Sequence, residues 1–137
     1  LVLLKIVVID GQGGKLGRNI IERLRAELPE SEIIAIGTNS IATSVMIKAG
    51  ADSAATGENP VVVACRDADV IIGPVGIAIA DSLLGEVTPK MACAVGASSA
   101  EKVLLPVNRC KNYIVGVADT SSAHIVREAI DYVKSLA

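Results

Sequence analysis

The stretch Lys5–Ile21, KIVVIDGQGGKLGRNII, decides how the rest of this chain is read. Its apolar run, Lys5 to Ile9, ends in Asp10. Glycines follow at Gly11, Gly13, Gly14 and Gly17, and apolar residues then recur at helical spacing at Leu16, Ile20, Ile21 and Leu24. This change of period marks a strand, a tight turn and a helix whose start faces the turn. Unpaired N–H groups at a helix start, reinforced by the helix dipole, favour an anion, most often a phosphate.

The same alternation continues outward from that stretch. A strand over Leu3–Ile9 and a helix over Gly14–Leu28, stopped by Pro29, lead to a second strand at Glu32–Ile36. Ser40 reads as the cap of a helix over Ile41–Ala49 with Gly50 as its stop. Ala51–Ala55 is a weak third strand. Pro60–Arg66 carries both strand and helix signals, and the need for a crossover before the next strand makes it a helix capped by Asn59. Asp69–Gly73 is a fourth strand, followed by an expected helix over Ile77–Leu84 and another from Pro89 to Val95. Lys102–Val107 and Tyr113–Val117 read as strands five and six, and Thr120 as the cap of a last helix with its stripe at Ile125, Ala129, Ile130, Val133 and Leu136. The fold class this predicts is α/β: a three-layer, Rossmann-like, doubly wound parallel sheet in a single domain spanning residues 1–137.

Composition agrees and narrows the partners. The 137 residues are 51% apolar and 20% charged, which suits one globular core. With two Tyr and no Phe or Trp, that core is aliphatic, and runs such as VVI suit a parallel sheet covered on both faces. A formal net charge of -2 and so few rings speak against nucleic acid as a partner. The longest charge-free apolar run, Val70–Ala80, falls short of the roughly 20 residues that span a bilayer, so no membrane association is expected. Leu1–Leu4 lacks the basic region and cleavage site of a signal peptide. Cys65, Cys93 and Cys110 are odd in number and widely spaced, against a disulfide framework or a zinc ribbon. A cytoplasmic protein is the expectation, with some apolar helix faces buried in a homodimer.

In an open parallel sheet, ligands bind beyond the carboxyl ends of the strands, where the strand order reverses. The loops expected there are Asp10–Lys15, Gly37–Ser40, Thr56–Asn59, Gly73–Gly76 and Asn108–Cys110, all rich in Gly or small polar residues. The candidate ligand contacts are Gly11, Gln12, Gly13, Gly14, Lys15, Leu16, Thr38, Asn39, Ser40, Gly73, Pro74, Asn108 and Arg109. In the first loop the glycines form GxxGxxG, since Leu16 stands where GxGxxG has its last glycine. Gly11 permits the tight turn, Gly13 and Gly14 the approach of a phosphate, and Gly17 close helix–strand packing. The loop is not a P-loop, because no Ser or Thr follows Gly14-Lys15 to ligate magnesium.

Strand two ends in Gly37-Thr38-Asn39-Ser40, without the acid that an NAD site places against the ribose hydroxyls. No Arg stands there for an NADP phosphate either, and Lys48 lies two turns on. NADP is preferred over NAD, and another nucleotide or phosphate-bearing ligand fits as well. Asp10 either accepts backbone N–H groups within the turn or takes a catalytic or metal-linked role. Lys15 and Arg109 are candidate anion contacts, and Cys110 is a nucleophile only if Arg109 lowers its pKa. Glu58 and Asn59 contact ligand or cap a helix. His124 has no evident partner and reads as a surface residue. No His/Cys/Asp cluster has metal spacing, and no catalytic residue is assigned.

The string GQGGKLGR resembles the N-terminal loops of dihydrodipicolinate reductases and prephenate dehydrogenases, which bind nicotinamide dinucleotides; the likeness covers about the first twenty-five residues. Over nearly the full length, VVIDGQGG, EIIAIGTNSIAT, AGAD…ATGEN, DADVIIGPVGI, LGEVTP and LPVNRC resemble a bacterial family described as a domain of unknown function with Rossmann-like character. That resemblance implies one intact domain and no particular activity. Three functions are therefore expected to compete: a nucleotide-binding protein, NADP-linked or otherwise; a non-catalytic module sensing a phosphorylated metabolite; and a scaffold in which the glycine loop is only a turn.

Overall fold

The computed structural model describes residues 3–107, 109 and 111–137. It contains a five-stranded sheet formed by β1 (Lys5–Asp10), β2 (Glu32–Gly37), β3 (Ser53–Thr56), β4 (Val70–Pro74) and β5 (Glu101–Leu105). Every pairing is parallel, in the order β3-β2-β1-β4-β5. β1 is central because its run Ile6–Ile9 is apolar on both pleat faces and buried on both. It pairs with β2 from Lys5↔Glu32 to Asp10↔Gly37, and with β4 from Ile6↔Val70 to Val8↔Ile72. The chain builds outward from β1 to β3 and then returns to the other side of β1. The strand order thus reverses at the carboxyl ends of β1 and β4, beside the glycine loop.

The helices α1 (Lys15–Glu27), α2 (Ser40–Lys48), α3 (Glu58–Ala64), α4 (Pro89–Ala97) and α5 (Ser122–Leu136) divide between the two faces. Ile20, Ile21 and Leu24 of α1, Ala42 and Met46 of α2 and Ile130 and Val133 of α5 pack against Ile6, Val8, Ile33 and Ile72. On the other face Val61 of α3 and Met91 and Val95 of α4 join Val7, Ile9, Ile36 and Ile71. The three-layer, doubly wound α/β expectation holds. Among the described residues no helix is long and apolar enough to cross a membrane.

Five local readings need correction. The helix expected over Ile77–Leu84 is one turn of 3-10 helix, Val75–Ala78, followed by an irregular strap. Its backbone enters the left-handed region at Asp81, Leu83, Leu84 and Gly85. Ile77 and Leu83 turn into the core while Leu84 is 97% exposed, a pattern that helical periodicity does not produce. Tyr113–Val117 is not a strand: a sixth parallel strand needs a crossover of about a dozen residues after β5, and 106–112 is shorter. Positive φ at Lys111 and Gly116 also interrupts the extended run, and Tyr113 and Val115 stand exposed. The cap of α2 is Asn39 rather than Ser40, with its side chain accepting the Ala42 N–H at 2.9 Å. Ser121, not Thr120, caps α5, and α3 starts at Glu58 behind Gly57, ahead of Asn59.

Candidate functional site

The glycine loop joins β1 to α1, and its geometry follows from how α1 begins. Gly14, the N-cap, is left-handed (φ 73°) and has no side chain to cap the helix. Asp10 supplies the missing acceptor from the end of β1. One of its carboxylate oxygens accepts the Gly11 N–H at 2.8 Å and the other the Gly17 N–H at 2.7 Å. The turn role of Asp10 is thereby shown. Burial pushes its carboxyl above the ordinary aspartate range; the Gly17 and Gly11 N–H groups pull the other way, and the charge of Glu86 adds to the rise.

The glycines divide by job. A Cβ at Gly17 would run into Met46 Sδ and come within 3.0 Å of the Asp10 Cβ, so Gly17 serves close packing, as its spacing suggests. A Cβ at Gly14 would come within 2.9 Å of the Ala42 Cα; besides its left-handed φ, this glycine is needed where α1 abuts α2. Gly11 leaves room for Thr38, Leu83 and Glu86. Only Gly13 of the four faces open space.

Glu86 is the residue that sequence reading missed. Its Oε1 accepts the Gln12 N–H at 2.9 Å, the Thr38 hydroxyl at 2.7 Å and the Asn39 side-chain amide at 2.8 Å. Asn39 also donates to the Gln12 carbonyl oxygen at 2.9 Å. Gln12, Thr38 and Asn39 thus converge on one anionic oxygen, and it belongs to the chain itself. Burial acts to raise the Glu86 carboxyl, but the Gln12, Thr38 and Asn39 donors outweigh it and hold it below the usual glutamate range. Among the described residues no Lys or Arg pairs with it. Glu86 was hidden because Ile77–Leu84 reads as a helix, which would carry the chain away from the loop. The signal available was Gly85 beside Glu86, a helix stop placed before a charge.

The other predicted residues are placed as follows. Lys15 and Ser40 are exposed on the first turns of α1 and α2. Leu16 is buried in the core, so only its backbone N–H can serve a ligand. Gly73 and Pro74 lie within β4 and are buried, which corrects their reading as an open exit loop; a Cβ at Gly73 would strike the Ile9 carbonyl oxygen. Arg109 donates to the Pro106 carbonyl at 3.1 Å and folds onto its own loop. Asn108 and Cys110 lie outside the described residues. Glu58 accepts the hydroxyl of Thr88, the cap of α4, at 2.6 Å, and His124 is exposed as expected. Among the described residues no acidic, His or Cys cluster could hold a metal.

A groove of about 640 Å³ lies elsewhere, on the α3 face of β2 and β3. It is walled by Ile34, Ala55, Pro60 and Val63 and rimmed by Lys5 and Asp67, away from the glycine loop.

Residues 5–137 match the family described as "Domain of unknown function (DUF3842)". No curated protein and no solved structure matches the chain.

Proposed function

We propose that this chain, which belongs to the DUF3842 family, binds a small phosphate-bearing ligand of the nucleotide kind at the carboxyl edge of β1 and β2. One observation carries the reading: Gln12, Thr38 and Asn39, from two different loops, direct three donors at one anionic oxygen. A seat so built stabilises negative charge without a cation. The N–H groups of Lys15 and Leu16, the first two of α1, find no protein acceptor among the described residues and extend the donor set toward Gly13.

NADP remains the dinucleotide of choice, since β2 ends in Thr38 and Asn39 rather than in an acid of its own. The domain works in the cytoplasm as a homodimer. The exposed Tyr113 and Val115, which project from the loop between β5 and α5, support a second copy as the outer wall of the site. A second reading, a non-catalytic regulatory or scaffold module, is favoured by Glu86, whose carboxylate already fills the seat.

Thermal-shift titration against NAD, NADP, ATP, AMP, FAD, S-adenosylmethionine and coenzyme A separates the two. A ligand at a hundred times its Kd stabilises by about 2.7 kcal/mol. Gly13→Asp, at a position with open space around it, is expected to fold and to abolish the shift by setting a charge against the phosphate. No shift with any of the seven overturns the nucleotide reading and leaves the scaffold.

A further inference from the structure

We propose that the strap Ile79–Val87 is an internal latch: its Glu86 carboxylate occupies the anion seat of the glycine loop and is displaced when a phosphate enters. The inference rests on the phosphate-binding reading above and adds the regulation of that site.

The strap is a self-bonded turn. Its hydrogen bonds close on themselves: Asp81 N–H to the Val87 carbonyl at 2.7 Å, Val87 N–H to Ser82 at 3.1 Å, Gly85 N–H to Asp81 at 3.1 Å and Glu86 N–H to Leu83 at 3.1 Å. Leu83 and Val87 anchor it in the core, and the short segment between them carries Glu86. Leu83 is buried against Gly11, and Glu86 is held by Gln12, Thr38 and Asn39.

The closed position also carries features that a permanent plug would be expected to lose. Three non-glycine residues, Asp81, Leu83 and Leu84, have φ between 56° and 64°. The Ser82 hydroxyl is the one buried side-chain polar atom among the described residues without a hydrogen-bond partner. The Asp10 carboxylate repels Glu86, and among the described residues no Lys or Arg pairs with either. Withdrawal of Glu86 from the seat removes the last of these. An entering phosphate brings more charge and more acceptor oxygens than a carboxylate, and it reaches the Lys15 and Leu16 N–H groups that Glu86 leaves unused.

The test is isothermal titration with inorganic pyrophosphate at neutral pH, paired with amide NMR of the glycine loop. Glu86→Gln keeps the shape of the side chain and removes its charge. It is expected to tighten pyrophosphate binding about tenfold and to leave the Gln12, Gly13 and Lys15 amides as the ones that shift. Glu22→Gln, on the exposed side of α1, makes the same change of net charge and is expected to bind as the wild type does. Equal affinity in Glu86→Gln and wild type overturns the latch and leaves the phosphate site standing. No binding and no amide shift in either chain overturns the site and the latch together.

A second readout needs no substitution. Carbon NMR of the wild-type Glu86 carboxyl is expected to show its pKa, held low by the seat, returning to the ordinary glutamate range or above when pyrophosphate is bound. A value unmoved by bound pyrophosphate overturns the latch.

Discussion

Asp10 reaches seven residues along the chain to accept the Gly17 N–H at 2.7 Å, and so caps a helix whose own N-cap position is a glycine. With its other oxygen on Gly11, one carboxylate fixes both ends of the glycine turn. Asp10→Ala leaves two buried N–H groups unpaired and is expected to cost about 3 kcal/mol. Asp10→Asn keeps one acceptor and costs less. Urea unfolding checks both, the midpoint falling with the slope unchanged; a midpoint equal to the wild type's would show that the turn holds without the carboxylate.

A different carboxylate adds to the pH dependence of stability. Arg127 of α5 grips Glu27 of α1 with two hydrogen bonds, at 2.6 and 2.7 Å, and Lys134 adds a third at 3.2 Å. The Arg127 hydrogen bond is the main cause that brings the Glu27 carboxyl down to about 2 from an ordinary 4.5; burial opposes it, and Lys134 assists. A carboxyl lowered in the folded state adds stability above its unfolded pKa and loses it as pH falls toward the folded one. Stability is therefore expected to drop between about pH 4.5 and 2. In Arg127→Met that limb should flatten, as read by thermal unfolding across this range. Asp10, whose carboxyl is raised, acts with the opposite sign: its contribution falls as pH rises above the ordinary aspartate value of 3.8.

The glycines of the loop should separate in mutation. Gly17→Ala must push against Met46 and Asp10, and Gly14→Ala against Ala42 with a left-handed φ as well. Each is expected to destabilise by about 1–3 kcal/mol. Gly13→Ala meets nothing within 4 Å and should leave the melting temperature within a degree or so of the wild type's. Differential scanning calorimetry of the three variants checks the order, and a Gly13 variant as unstable as Gly17→Ala would contradict the division of roles.

The thiols differ for the same reason of packing. Burial pushes the Cys65 thiol up to about 11, with Lys102 pulling weakly the other way, whereas Cys93 is exposed on α4. Iodoacetamide at neutral pH followed by peptide mapping should label Cys93 and spare Cys65 until the chain is unfolded. Early labelling of Cys65 would mean that the α3–α4 face opens locally.

The parts legible in the sequence were those with a local cause. The β1–turn–α1 unit announces itself by the change of hydrophobic period, and Gly17 by the contact its spacing implies. Even the short β3 follows from alternation, since a strand must come between α2 and α3. The strap was not legible because Ile77, Ala80 and Leu84 mimic helical spacing. Its course is set by Leu83 seeking the space above Gly11, a partner 72 positions away in the numbering. Tyr113–Val117 misled for the reverse reason: its residues favour a strand, but connection length denies it a place in the sheet. Glu86 combines both difficulties, a charge on a misread element satisfied by donors more than forty residues distant.

The two flanks of the sheet bear on how the molecule behaves in a crowded solution. β3 offers an outside strand only four residues long, Ser53–Thr56, with small side chains. At the opposite flank the start of β5 is dressed by side chains drawn back over it: Tyr132 donates its hydroxyl to Glu101, and the Lys102 ammonium reaches the Ser98 carbonyl at 2.6 Å. A neighbouring chain looking for backbone to pair with finds one ledge too short and the other fenced by charge. Short length at one edge and charge at the start of the other are expected to keep this five-stranded sheet from recruiting a further strand.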